Sequence, residues 1–169
     1  AEADAALIDK VRRFGRRVLA PRAAQHDRDA SFPIENFRDM HTEGLLAICV
    51  PKAAGGAGAG FAAYCLAAAE LGRYCGATAL SWNMHVCSTL WTGALADDLS
   101  MSPAERSEHN MRRALHYRRI VEEGALYSQP FSEGGAAAAG AVAFGTEAKP
   151  VEGGFLVNGK KIFASLSGA

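Results

Sequence analysis

His85-Val86-Cys87 is one pair whose residue types suit a reaction centre, because imidazole and thiolate are both transition-metal ligands. Residues two apart on a helix point in different directions, however, and no second ligand pair accompanies them, so His85 reads as a core or interface histidine. His26, His41, His109 and His116 are scattered, and no metal site is expected. Gly56-x-Gly58-x-Gly60 hints at a dinucleotide fingerprint, but the full G-x-G-x-x-G spacing and the strand that should lead into it are missing. A connecting turn is the better reading. Cys49, Cys65, Cys75 and Cys87 form no C-x-x-C pair and lie in apolar, helix-like stretches, where a free cysteine behaves as a small hydrophobe. Taken alone, Ser128 and Ser165 are ordinary strand serines, and Phe163 is as readily an inward-facing core aromatic as a ligand contact.

The elements that must position these residues follow from composition and periodicity. With 49% hydrophobic and 21% charged residues the chain has enough apolar material for a core. Lys plus Arg equals Asp plus Glu at 18 each, so no overall field draws it to nucleic acid or an anionic membrane. The arginines Arg12, Arg13, Arg16 and Arg17 then read as a solvated helix face. No apolar run suggests a membrane span. Unpaired cysteines and the lack of a secretory signal lead us to expect the cytoplasm.

Leu7, Ile8, Val11, Phe14, Val18 and Leu19 fall at helical spacing, with Pro21 expected to end that helix. A second helix is expected from about Pro33 to Gly44, burying Phe37, Met40 and Leu45. A third is expected from Phe61 to Tyr74, with Cys65, Ala69 and Gly72 on one face. A fourth carries Leu80, Met84, Cys87, Trp91 and Leu95 as a stripe, and the surface at Cys87, Leu90, Trp91 and Leu95 is wide enough to require burial. The fifth begins at the capping box Ser102-Pro103-Ala104-Glu105 and stops at Gly124.

After Gly124 the texture changes. Residues 125–129 form a short apolar run, Gly134 to Gly140 a glycine- and alanine-rich loop, and Ala141 to Ala148 a strand-like stretch. Val151 to Val157 reads as a turn and a strand. Asn158-Gly159 is a hairpin signal, with Lys160 to Ser165 returning. Helices followed by strands indicate an α+β arrangement: an N-terminal all-helical bundle over 1–124, then an incomplete antiparallel β-domain over 125–169. Three or four strands alone leave an open sheet edge, so more polypeptide is expected after Ala169.

Three stretches, in order, resemble the acyl-CoA dehydrogenase family. Phe32-Pro33-x-Glu35, Gly44-Leu45-Leu46, Val50-Pro51 and Gly55-Gly56-Ala57-Gly58 resemble its first helix-to-turn pattern, and Glu70-Leu71-Gly72-Arg73 the end of its next helix. Ser128-Gln129-Pro130-Phe131-Ser132-Glu133-Gly134-Gly135 and Asn158-Gly159-Lys160-Lys161-Ile162-Phe163-Ala164-Ser165 resemble its Thr-Glu-Pro-x-x-Gly-Ser-Asp loop and Asn-Gly-x-Lys-x-(Trp/Phe)-Ile-(Thr/Ser) strand.

The resemblance implies FAD, an acyl-CoA substrate, an electron-transfer flavoprotein as acceptor and a homotetramer. It implies flavin contacts from Tyr127, Ser128, Gly134, Phe163 and Ser165, and substrate contacts from Ser132 and Gly134. Ser128 is expected at the pyrimidine edge, Ser165 near N5, and Phe163 packed on one ring face. Ser128 and Phe163–Ser165 are expected on strands, so that Phe163 and Ser165 share one side of the pleat. Gln129 stands where the family has glutamate, and Gly134-Gly135 where it has Ser-Asp. Gly134 keeps a backbone N–H for an anion but lacks the hydroxyl, for which Ser132 is the expected substitute.

The implied reaction is α,β-dehydrogenation of an acyl thioester. Its glutamate base belongs to the family's C-terminal helical domain, so no catalytic residue is assigned here, and Glu70, Glu122 and Glu133 are not promoted to the role. A flavin-dependent monooxygenase or oxidase on the same scaffold is the alternative, and a non-catalytic helical interaction module a third reading.

Overall fold

The computed structural model describes residues 2–134 and 143–167. Its α-helices are α1 (Glu2–Phe14), α2 (Ala20–Asp29), α3 (Ile34–Thr42), α4 (Phe61–Gly72), α5 (Gly76–Thr92), α6 (Ala94–Asp97) and α7 (Pro103–Glu123). An antiparallel ribbon follows, β1 (Glu147–Val151) and β2 (Gly154–Asn158), with Lys149 opposite Leu156. The expected order of helical bundle then antiparallel β-structure holds. Among the described residues no helix is long and apolar enough to cross a membrane.

Pro21 does not end the first helix. Between α1 and α2 the backbone widens into a π-helical turn, Gly15–Leu19, with the Ala20 N–H reaching back to the Gly15 carbonyl. Proline has no N–H and its ring crowds the carbonyl four residues earlier. The wider turn ends at Leu19, with Ala20 between it and Pro21, and the chain stays helical to Asp29. Glycine is needed at 15 because a Cβ there would lie 2.1 Å from the Tyr74 ring.

The core is built around Trp82, Phe14, Phe37, Leu19, Met40, Leu45, Leu46, Ile48 and Leu71. Two helix faces differ from expectation. α4 buries Ala63, Tyr64, Ala67, Glu70 and Leu71, leaving Cys65, Ala69 and Gly72 outside. Its sequence is apolar on almost every side, so periodicity could not select the face. The large Tyr64 and Leu71 went inward. α5 buries Thr78, Ala79, Trp82, His85, Val86, Thr89 and Leu90. Of the expected stripe, Leu80, Trp91 and Leu95 are exposed while Met84 and Cys87 are half-buried. Trp82 and His85 enter the core because their polar atoms are satisfied there, on the carbonyls of Leu45 at 2.9 Å and Leu46 at 3.1 Å.

Local signals held where they are chemically strong. Gly44 and Gly124 sit in left-handed backbone at the ends of α3 and α7, and Ser102 with Glu105 forms the full capping box. The Gly56-x-Gly58-x-Gly60 stretch is a turn whose backbone bonds back to residues 47–50, Ala59 N–H to the Ile48 carbonyl at 2.7 Å. Of the helix-face arginines, Arg12 pairs with Asp9 and Glu70, Arg16 donates to the Tyr74 hydroxyl, and Arg17 pairs with Glu43.

The β-segment differs in detail. The hairpin turns at Glu152-Gly153, where Gly153 has φ +79, while Asn158 ends β2 opposite Glu147 and Gly159 follows it. Residues 125–129 and 160–164 are extended or irregular rather than strands. The expected Gly134–Gly140 loop from Gly135 on, and the start of the Ala141–Ala148 stretch, lie outside the described residues.

Candidate functional site

The segments that carry Ser128–Gly134 and Phe163–Ser165 lie against one another. Ile162 N–H donates to the Ser132 carbonyl at 2.8 Å, and the Ser128 hydroxyl to the Ser165 carbonyl at 2.6 Å. As position advances from 128 to 132, the partner retreats from 165 to 162, so the two run antiparallel without forming a regular ladder.

Phe163 and Ser165 do not share a pleat side in the way a strand requires. Phe163 has φ +53 and Leu166 φ +70, and Ser165 N–H turns back to the Phe163 carbonyl at 3.1 Å. Left-handed backbone at non-glycine residues costs about 1–3 kcal/mol each and persists only when the surroundings enforce it. Leu166, buried in the core of the helical bundle, supplies one such anchor. The result is a tight turn that leaves the Phe163 ring 86% exposed. Gly134 is open as well, with nothing within 4 Å of where a Cβ would stand.

Tyr127 faces elsewhere. Its hydroxyl shares a 2.8 Å hydrogen bond with His116 Nδ1, and its N–H donates to His85 Nδ1 at 3.1 Å. Its ring meets His116 edge-on, and with Ser88, Thr89, Thr92, Tyr117 and Ile120 these two line a cavity of about 110 Å³ between α5 and α7. The loop also rests on α5 through Gln129 Nε2 to Ser88 Oγ at 3.0 Å and through Phe131 on Trp91, ring centres 5.0 Å apart. Burial pushes the imidazole of His85 down to about 4 against the smaller upward pull of its bond to Leu46, so the ring is neutral. Nδ1 accepts from Tyr127, which leaves the proton on Nε2 for the Leu46 carbonyl. Among the described residues no three of His, Cys, Asp and Glu group as metal ligands.

One residue of the motif segment, declined above as a base, has a role that the sequence did not signal. Glu133 is 7% exposed and accepts from Gly145 N–H at 2.6 Å, Thr146 N–H at 3.1 Å, the Thr146 hydroxyl, and Lys161 Nζ at 2.7 Å. The Lys161 bond first, then the Thr146 hydroxyl and the Gly145 N–H, hold its carboxyl down to about 2. Glu70 is likewise committed, to Arg12 Nε at 3.0 Å and the Tyr74 hydroxyl at 3.3 Å. Neither carboxylate is free to act as a base.

Comparison with known proteins places this geometry in context. The family model described as acyl-CoA dehydrogenase, N-terminal domain, matches residues 1–95. A probable acyl-CoA dehydrogenase, YngJ of Bacillus subtilis (strain 168), is 30% identical over 155 residues, taking in 90% of this chain and 37% of that protein. The human mitochondrial short-chain specific acyl-CoA dehydrogenase is 37% identical over 89 residues, 53% of this chain and 21% of its own length. Benzylmalonyl-CoA dehydrogenase of Aromatoleum aromaticum is 29% identical over 156 residues, 92% of this chain and 38% of that one. The chain therefore spans less than two-fifths of these relatives.

Proposed function

Because this chain belongs to the acyl-CoA dehydrogenase family, we propose that it forms the helical front and first flavin-facing segments of an FAD-dependent acyl-CoA dehydrogenase. We place the domain boundary at Gly124, with 1–124 as helical domain and 125–169 as the start of the β-domain. The reading takes an acyl-CoA as substrate, an electron-transfer flavoprotein as acceptor, and a cytoplasmic homotetramer as the working form. The observation that carries it is the antiparallel contact of residues 128–132 with 162–165, which brings two separated motif segments to one place.

The residues present fit a flavin. The Phe163 ring is free to stack, and an aromatic contact of this kind contributes about 0.5–1.5 kcal/mol beyond burial. The Ser128 proton is committed to the Ser165 carbonyl, so Ser128 would meet the pyrimidine edge as an acceptor, facing a ring N–H. Ser165 would serve the neighbourhood of N5. Gly134, unobstructed, offers backbone N–H to an anionic group, and Ser132 with it would face the substrate. Tyr127 then belongs to the wall between helices and flavin segment rather than to the ring itself. Bound FAD supplies the hydride acceptor, while the protein's part is to orient both molecules and keep the pocket dry. The resemblance assigns the base that removes the α-proton to the family's C-terminal helical domain, and Glu70 and Glu133, each paired to a basic side chain, are not given the role here.

The test is anaerobic addition of a panel of saturated acyl-CoAs to the purified full-length protein. Bleaching of oxidised flavin with formation of one equivalent of the α,β-unsaturated thioester is expected. A flavin that no acyl-CoA reduces would contradict the proposal.

A further inference from the structure

We propose that Glu133 is a positioning residue, a buried carboxylate that fixes the segment bearing Phe163 and Ser165 against the one bearing Ser128 and Gly134. This rests on the flavin-site reading above. Three stretches of chain meet on its carboxylate: its own, the approach to β1 through Gly145 and Thr146, and the stretch after β2 through Lys161. Lys161 extends the junction, donating to the Phe131 carbonyl at 3.3 Å and standing 4.3 Å from the centre of the Phe144 ring. Gly159 belongs to it too. A Cβ at that position would come 2.2 Å from Thr146 Oγ1, so the glycine of Asn158-Gly159 serves close approach rather than a hairpin turn.

The junction matters because, among the described residues, the ribbon buries little against the rest of the chain. Both strands are exposed on both faces, and among described residues 143–167 only Leu166 is buried. The flavin-facing turn is thus oriented by Leu166 at one end, by Glu133 with Lys161 at the other, and by the Ile162–Ser132 and Ser128–Ser165 hydrogen bonds between them. Charge-assisted bonds are about twice as strong as neutral ones, and a carboxylate receiving several of them is a rigid node. With Glu133 gone, only the Ile162–Ser132 and Ser128–Ser165 hydrogen bonds and Leu166 hold the turn, and Phe163 and Ser165 can shift off the geometry a bound ring needs, where misplacement of about 1 Å is enough to matter.

The experiment uses the full-length flavoprotein. Glu133→Gln keeps the volume and an acceptor but removes the charge that Lys161 faces. It should weaken FAD about tenfold and shift the visible absorption and circular-dichroism bands of the bound flavin, with the far-ultraviolet helical signal unchanged. Lys161→Met should reproduce both effects, Lys161→Arg should restore them, and Glu133→Gln with Lys161→Met together should be little worse than either alone, as for partners in one interaction. Glu147→Gln, which breaks the exposed pair with Lys149, is the control expected to change neither quantity. If Glu133→Gln fails to fold, Lys161→Met and Lys161→Arg carry the test. Native FAD affinity and an unchanged flavin spectrum in Lys161→Met or a folded Glu133→Gln would overturn the role of Glu133. Wild-type protein with no affinity for FAD would instead overturn the site reading, and this proposal with it.

Discussion

Replacing His85 by glutamine should remove a pH dependence that the wild-type fold carries. The folded imidazole titrates near 4 against an ordinary 6.5, chiefly because burial penalises its charge. Between those values the unfolded chain binds a proton at His85 that the folded chain does not. Stability is therefore fully present above about pH 6.5 and declines as pH falls toward 4. At about 1.4 kcal/mol per pH unit the whole difference is about 3 kcal/mol, of which about 2 kcal/mol falls between about pH 7 and pH 5. Carboxylates titrate mostly below that window. Glutamine can still donate to the Leu46 carbonyl and accept from Tyr127 N–H but cannot titrate, so the variant should lose the slope while keeping much of the fold. His85→Leu should show a flat offset instead, about 1–3 kcal/mol for each polar group left unpaired. Urea unfolding at a series of pH values, followed through the fluorescence of Trp82 and Trp91 on the same helix, reads both effects. A wild-type slope that persists undiminished in His85→Gln would refute the reasoning.

Phe163→Ala should weaken FAD by about 0.5–1.5 kcal/mol, roughly two- to tenfold, in an equilibrium titration of the apoprotein, while Ser165→Ala should slow flavin reduction more than it empties the site. Gly56→Ala should destabilise the protein by about 1–3 kcal/mol, measured by thermal unfolding, because the new Cβ would lie 2.1 Å from the Val50 carbonyl oxygen, an obstacle of backbone rather than a movable side chain. Ser102→Ala should cost about 0.5–2 kcal/mol in the same assay and fray the first turn of α7, as seen in amide exchange.

What could be read from the sequence divides by how local its cause is. Ser102 and Glu105, Gly44 and Gly124 are legible because a cap depends on a few adjacent residues. The π turn at Gly15–Leu19 was not, since Pro21 carries a stop signal by itself and only the packing of Tyr74 on Gly15 shows how the chain continues. The inward face of α4 was hidden by a composition with almost no polar side to mark the outside. Asn158-Gly159 gave a true glycine signal with the wrong cause, close approach to Thr146 instead of a turn. Ser128, Ser132, Phe163 and Ser165 stood out through their motifs, but the left-handed backbone at Phe163 is enforced by tertiary contacts no local pattern records. Glu133 was named within its motif, but its role was not legible because its partners lie beyond the glycine-rich stretch and beyond β2.

Hydrogen–deuterium exchange of the full-length protein, compared with and without FAD, tests the central claim most directly. Saturating FAD should slow exchange in peptides covering 128–134 and 161–166 together, while α1 to α3 exchange as before. Protection by FAD that appears elsewhere and spares both segments would contradict the placement of the flavin against them.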